Sequence, residues 1–179
     1  MPNFLTTIRV LTPFYFLIIL LFLGDVYLQR ILLFLVFMFL SITDFLDGYI
    51  ARKLNIVSNY GKVFDPISDK ILVSTSLIYL ISEYNLLLYP SLLIVFREFL
   101  VSGVREYSLI SKKKSVDVTN LSKIKTITQF LSICGLFADL LIKKNLGYNL
   151  FNIFYILLWI STLLTLFTGY NYCYKIYRN

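Results

Sequence analysis

The chain has 179 residues, 58% hydrophobic and 15% charged, with a mean hydropathy of +0.76, which excludes a water-soluble globular domain: apolar runs such as 31–40 and 153–160 would need a larger core than this length can enclose. The formal charge of +7 does not mark a nucleic-acid partner, because Lys and Arg collect at the ends of apolar stretches rather than in one stripe. There is no His, and Cys134 and Cys173 are far apart in the sequence, so neither a zinc site nor a disulfide framework is supported, and acid-base or metal chemistry falls to carboxylates.

Apolar runs of membrane-spanning length fall at about 5–23, 28–50, 66–83, 86–108, 121–142 and 149–172. The first has no small-residue cleavage site and more runs follow it, so it reads as a retained helix rather than a secretory leader. Breaks come at Gly24-Asp25, 52–62, Glu83-Tyr84-Asn85, 111–120 and 143–147, where polar and helix-stopping residues gather. The expectation is an all-α integral membrane protein: one domain over 1–179, six transmembrane helices, a polar cavity on the cytoplasmic side and a short amphipathic N-terminal segment. That segment carries Asn3 and Thr6, which helix capping would explain, with Phe4, Leu5 and Ile8 toward lipid.

With the N-terminus inside, the inner segments hold Arg9, then Arg52, Lys53, Lys62 and Lys70, then Arg105, Lys112, Lys113, Lys114, Lys123 and Lys125, and finally Lys175 and Arg178. The outer loops hold Arg30, Lys143 and Lys144. This asymmetry predicts both termini in the cytoplasm. Tyr170, Tyr172, Tyr174 and Tyr177 then form an interfacial anchor at the end of the last helix.

Four of the few acids crowd the end of the second run and the start of the third. The window is Asp44-Phe-Leu-Asp47-Gly48-Tyr-Ile-Ala51-Arg52, eight further residues, then Gly61-Lys-Val-Phe-Asp65-Pro66-Ile-Ser-Asp69. Residues three or four apart share a helical face, so Asp44 pairs with Asp47 and Asp65 with Asp69. Asp65-Pro66 has the form of an N-cap and first-turn proline, predicting that the third helix starts there. Four converging carboxylates near low dielectric repel one another and need cations. Oxygen ligands alone select hard ions, Mg²⁺ or Mn²⁺, and four carboxylates have room for two ions roughly 3.5–4 Å apart. Gly48 opens the helix to a bulky ligand and Arg52, one turn on, offers a fork for phosphate, so a nucleotide diphosphate is expected on the metals.

The pattern D-x2-D-G-x2-A-R-x8-G-x3-D-x3-D resembles the signature of the CDP-alcohol phosphatidyltransferases without a departure. The resemblance implies metal-binding roles for Asp44, Asp47, Asp65 and Asp69, with Asp69 also the proton acceptor. It implies nucleotide and diphosphate contacts at Gly48, Arg52 and Ser58, and places Asn3 near the CDP group. Six transmembrane helices and a homodimer are implied as well, with CDP-diacylglycerol as donor in a bacterial plasma membrane.

Four further segments look like the branch of that family that uses sn-glycerol 3-phosphate: 2–9, 65–70, 97–106 with Arg97, Glu98, Ser102 and Arg105, and 123–129 with Lys123 and Lys125. A phosphorylated acceptor needs fixed cations besides the metals, and Arg105, Lys123 and Lys125 are candidates, although positive-inside contact with anionic lipid also explains them. Arg97 and Glu98 lie inside an apolar run where unpaired charge is costly; a structural ion pair and a substrate contact both fit. Glu98, Ser102 and Arg105 share a face expected to look into the bundle. Other readings are a sister enzyme taking phosphatidylglycerol, serine or inositol phosphate, a cation channel or transporter using Asp44 and Asp69, and an inactive lipid-binding scaffold.

Overall fold

The computed structural model describes the backbone of residues 2–54, 59–110, 120–146 and 150–178, with side chains at 6–44, 64–108, 121–142 and 150–178. The described residues are helical almost throughout. In a bilayer the backbone must satisfy its own polar groups, and a helix does so within one segment. The order is α1 (Pro2–Val10), α2 (Thr12–Phe22), α3 (Val26–Leu54), α4 (Asn59–Glu83), a 3-10 turn (Asn85–Leu87), α5 (Leu88–Ile110), α6 (Asn120–Leu146) and α7 (Phe151–Arg178). Four stretches among these residues are long and apolar enough to cross a membrane: Val26–Asp44, Asn85–Ser108, Leu121–Ile142 and Phe151–Arg178.

The expected first run, 5–23, is two helices. In a continuous helix the amide of residue 13 would bond the carbonyl of Arg9, but Pro13 has no N–H. Thr12 Oγ1 donates to that carbonyl instead, at 2.5 Å, and the chain turns at Leu11. At 11 residues α2 extends for about 16 Å, roughly half the hydrocarbon thickness. Its large side chains Phe14, Leu17, Ile18, Leu21 and Phe22 are exposed, as a lipid-facing helix requires. The expected third run is long enough, but α4 carries Asp65, Asp69, Lys70 and Glu83 and falls outside the four apolar stretches.

Several boundaries differ from those expected. Asn59, not Asp65, opens α4, and Pro66 lies inside the helix; a proline interrupts one backbone bond yet leaves the turn before it intact when neighbouring bonds hold. The polar stretches 52–62 and 143–147 were expected as breaks; helices reach into both, α3 to Leu54, α4 from Asn59 and α6 to Leu146, while 55–58 and 147 lie outside the described residues, and Arg, Lys and Leu are good helix formers whatever their polarity. Gly24-Asp25 behaves as expected: the Asp25 carboxylate accepts from the amides of Tyr27 at 2.8 Å and Leu28 at 3.5 Å, capping α3. Gln29 Nε2 donates to the Leu23 carbonyl at 2.5 Å and helps close the end of α2. Of the expected break at 111–120, residues 111–119 lie outside the described residues and Asn120 begins α6.

The chain forms two compact units, Met1–Tyr79 with Phe137–Tyr148, and Leu80–Leu136 with Asn149–Asn179. In the first, α1 and α2 pack on α3, and Leu33, Phe37 and Leu40 form a buried stripe on α3. Phe137 stacks on Phe37 at 5.6 Å and on Tyr79 at 5.7 Å between centroids, and Phe16 meets Tyr79 edge-on at 6.2 Å. Each such pair adds about 0.5–1.5 kcal/mol beyond burial.

In the second unit α5 packs along α7. The buried face of α7 is built from Leu158, Ser161, Thr162, Thr165, Thr168 and Gly169, small residues that admit close helix approach. The hydroxyls of Ser161, Thr162 and Thr168 bond back into their own helix, for example Thr162 to the Leu158 carbonyl at 2.8 Å. Gly135 on α6 is needed for contact with α7, since a Cβ there would fall 2.1 Å from the Phe154 ring. At the far end of α7, Tyr170 stacks on Tyr174 at 6.3 Å, and both are exposed along with Tyr177, a layout suited to an interfacial anchor.

Candidate active site

One turn of α1 separates Thr6 from Arg9, which puts both on one face, and each is only 1% exposed. Thr6 Oγ1 donates to Asp65 Oδ1 at 2.6 Å. Arg9 Nη1 donates to Asp44 Oδ1 and is 3.4 Å from Asp69 Oδ1 and 3.5 Å from Ser68 Oγ. Ser68 in turn donates to the Asp65 carbonyl at 2.9 Å. Side chains from α1, α3 and α4 thus meet around one buried guanidinium. Their carboxylates are not sealed with it: the side chains of Asp44 and Asp69 are 39% and 52% exposed. Each acid turns one oxygen toward Arg9 and stays partly exposed.

Three of the four expected aspartates therefore lie in one neighbourhood. For Asp47, Gly48 and Arg52 the helix runs on as their spacing predicts, but their side chains, like that of Asn3, lie outside the described residues, as does Ser58 altogether. Sequence reasoning treated Arg9 as an orientation signal and Thr6 as a cap. Both instead bond to aspartates 35 or more positions away. A readable signal existed, an arginine and a threonine on one helical face beside two short acidic segments, but nothing local says which carboxylates they meet.

Mg²⁺ or Mn²⁺ was expected at this centre. Among the described residues no three His, Cys, Asp or Glu groups close on one point. The donor chemistry nevertheless fits a hard cation: the acids are all-oxygen, Asp44 and Asp69 approach a single cationic nitrogen, and both retain open faces.

A second charged cluster lies in the other unit. Arg97 on α5 donates from Nη1 to Glu98 Oε1 at 3.1 Å and from Nη2 to Thr168 Oγ1 at 3.1 Å. Lys125 on α6 donates from Nζ to the same Glu98 Oε1 at 2.5 Å. Arg97 and Lys125 are each 8% exposed. Of the four expected acceptor-phosphate residues the structure brings these two together, while Arg105 and Lys123 are exposed and take no part among the described residues. The face expected to look into the bundle does so at Glu98 and Ser102, which are half-buried, and not at Arg105.

Comparison with known proteins gives the family. Residues 1–167 match the family described as CDP-alcohol phosphatidyltransferase. A Rickettsia typhi protein named CDP-diacylglycerol–glycerol-3-phosphate 3-phosphatidyltransferase is 47% identical over 174 residues, covering 96% of this chain and 94% of its own length. Proteins of the same name from Rickettsia prowazekii and Bacillus subtilis are 47% and 36% identical, over 96% and 79% of this chain and 92% and 71% of their own lengths. Because the matched span takes in every helix that carries the clustered carboxylates, the chain belongs to the CDP-alcohol phosphatidyltransferase family.

Proposed function

We propose that the protein transfers the phosphatidyl group of CDP-diacylglycerol to sn-glycerol 3-phosphate, giving phosphatidylglycerophosphate and CMP. The observation that carries this is the meeting of Asp44, Asp65 and Asp69 around Arg9, in a chain similar along nearly its whole length to enzymes named for that donor and acceptor.

The diphosphate of the donor lies over the open edges of Asp44 and Asp69, with Gly48 and Arg52 on the following turns of α3 and Asn3 and Ser58 beside the nucleotide. Asp69 accepts the proton of the acceptor's primary hydroxyl. The resulting oxygen bonds to the phosphorus that bears the diacylglycerol oxygen, and the bond from that phosphorus to the CMP phosphate breaks. Arg9 keeps Asp44 and Asp69 turned toward one point, and Thr6 fixes Asp65, so the carboxylates are pre-oriented before substrate arrives. Asp44, Asp47, Asp65 and Asp69 would hold two Mg²⁺ or Mn²⁺ ions, whose charge offsets that of the diphosphate and the departing CMP. Arg97 and Lys125, and less directly Arg105 and Lys123, receive the phosphate of the acceptor.

The same reading takes the chain as one domain with six membrane-embedded helices, α2 and α4 completing the four apolar spans. It places both termini and the carboxylates at the cytoplasmic face, and the protein acts as a homodimer. A competition assay tests the acceptor: purified protein receives labelled CDP-diacylglycerol with glycerol 3-phosphate, phosphatidylglycerol, serine or inositol phosphate. CMP release is expected with glycerol 3-phosphate; release with one of the others and not with it would replace the acceptor named here.

A further inference from the structure

Arg97 sits in the middle of α5 among Leu92, Phe96, Phe99 and Leu100, all exposed as lipid-facing side chains are. A guanidinium at that depth is costly unless its direction is fixed inward. The fixing comes from two adjacent residues of α7. At Gly169 a Cβ would stand 2.7 Å from Arg97 Nε, 3.0 Å from Cγ and 3.4 Å from Cδ, so the arginine stem lies flat across the α7 backbone where any side chain would displace it. Thr168 Oγ1 accepts from Nη2 at 3.1 Å. Its own proton is directed to the Leu164 carbonyl at 2.8 Å, which leaves the oxygen lone pairs for the arginine.

The result is a fork clamped at both ends, by Thr168 on one side and Glu98 on the other. Among the described residues its Nε is buried without a hydrogen-bond partner. Two buried cations, Arg97 and Lys125, share one carboxylate oxygen of Glu98. A buried guanidinium with a spare donor, beside a second buried cation, is set to take an anion. Thr168 and Gly169 also lie just past residue 167, where the family match ends.

We propose that Thr168 and Gly169 are positioning and specificity-determining residues: they seat the Arg97 fork so that Arg97 and Lys125 together receive the phosphate monoester of the acceptor. The proposal rests on the acceptor reading given above. Gly169→Ala pushes against a flexible side chain rather than against backbone, so it moves Arg97 more than it disturbs the helix pair.

The test uses the full chain in detergent micelles. CMP release is measured against glycerol 3-phosphate at fixed CDP-diacylglycerol, and against CDP-diacylglycerol at fixed glycerol 3-phosphate. Gly169→Ala is expected to raise the acceptor KM about tenfold and to move the donor KM by less than about twofold. Thr168→Val raises the acceptor KM about fivefold, and Thr168→Ser, which keeps the hydroxyl, restores it. In an Arg97→Lys background Gly169→Ala adds nothing further, because both act through one group. An unchanged acceptor KM in Gly169→Ala overturns the proposal, as does a parallel rise in both KM values. Should Gly169→Ala fail to fold, the Thr168 pair decides: Thr168→Val equal to the parent overturns it. A parent chain that releases no CMP with glycerol 3-phosphate overturns the acceptor reading itself, whereas normal parent turnover with unresponsive variants overturns the seat alone.

Discussion

The two charged clusters of this protein are built from the same side-chain types in opposite proportion. Around Arg9 one buried guanidinium faces Asp44 and Asp69, with Asp65 held close by through Thr6; around Glu98 one carboxylate serves both Arg97 and Lys125. The first sets two carboxylates on one guanidinium, and the second sets two cations on one carboxylate oxygen. On the proposed function, the ratio of acids to bases matches what each cluster receives: cations on the aspartate side, a phosphate on the arginine side. Exposure follows the same division. The acids of the first cluster are substantially open and its base sealed, while in the second both bases are nearly buried.

If the contrast is right, the largest effect comes from starving the first cluster of its cation. Excess chelator should abolish CMP release, and added Mg²⁺ should restore it; full turnover in chelator would break the comparison at its base. Asp69→Asn should lower CMP release by about 10²–10⁴-fold, the usual contribution of a positioned general base, with the melting temperature nearly unmoved because Arg9 keeps Asp44. Near-normal turnover would remove Asp69 from its role. Glu98→Gln sharpens the other side: it strips two buried cations of their shared partner and should cost about 3–5 kcal/mol of stability, read as a lowered melting temperature. A variant as stable as the parent would mean that the cluster is already neutralised by other means. The smallest effect belongs to Thr6→Val, which takes one hydrogen bond from Asp65 and should cost about 0.5–1.5 kcal/mol, seen as a several-fold loss of turnover.

Much of this was legible in the amino-acid sequence, for reasons that are local. The spacing of Asp44, Asp65 and Asp69 at two neighbouring helix ends follows from the helical period, and α3 does run through Asp47, Gly48 and Arg52 as that period requires. Asp25 caps α3 because its residue type at a helix start does so almost anywhere. What escaped was either a boundary decided by balance or a contact decided by packing. Pro13 was visible, but whether it ends a helix or merely bends one depends on whether another group satisfies the Arg9 carbonyl, and Thr12 does. Residues 52–54 and 59–62 were read as part of one break because polarity was taken for irregularity; Arg, Lys and Leu at 52–54 have good helix propensity, whereas Asn59, Tyr60 and Gly61 are helical without it. Thr168 and Gly169 carry no signal in the sequence; that Arg97, 71 positions earlier, lies across them is a tertiary fact no local pattern contains.

The bond between Arg9 and Asp69 spans 60 positions of chain, and this sets an order of events during synthesis. At about 5–20 residues per second, roughly 3–12 s pass between the emergence of the arginine and that of its later carboxylate. Asp44 arrives first, 35 positions after the arginine, and until then the first short helix has neither carboxylate and has to wait among lipid headgroups and water. The N-terminal segment, although made first, is among the last parts to be locked, and a bulky fusion placed ahead of it would delay closure more than the same fusion placed after α7.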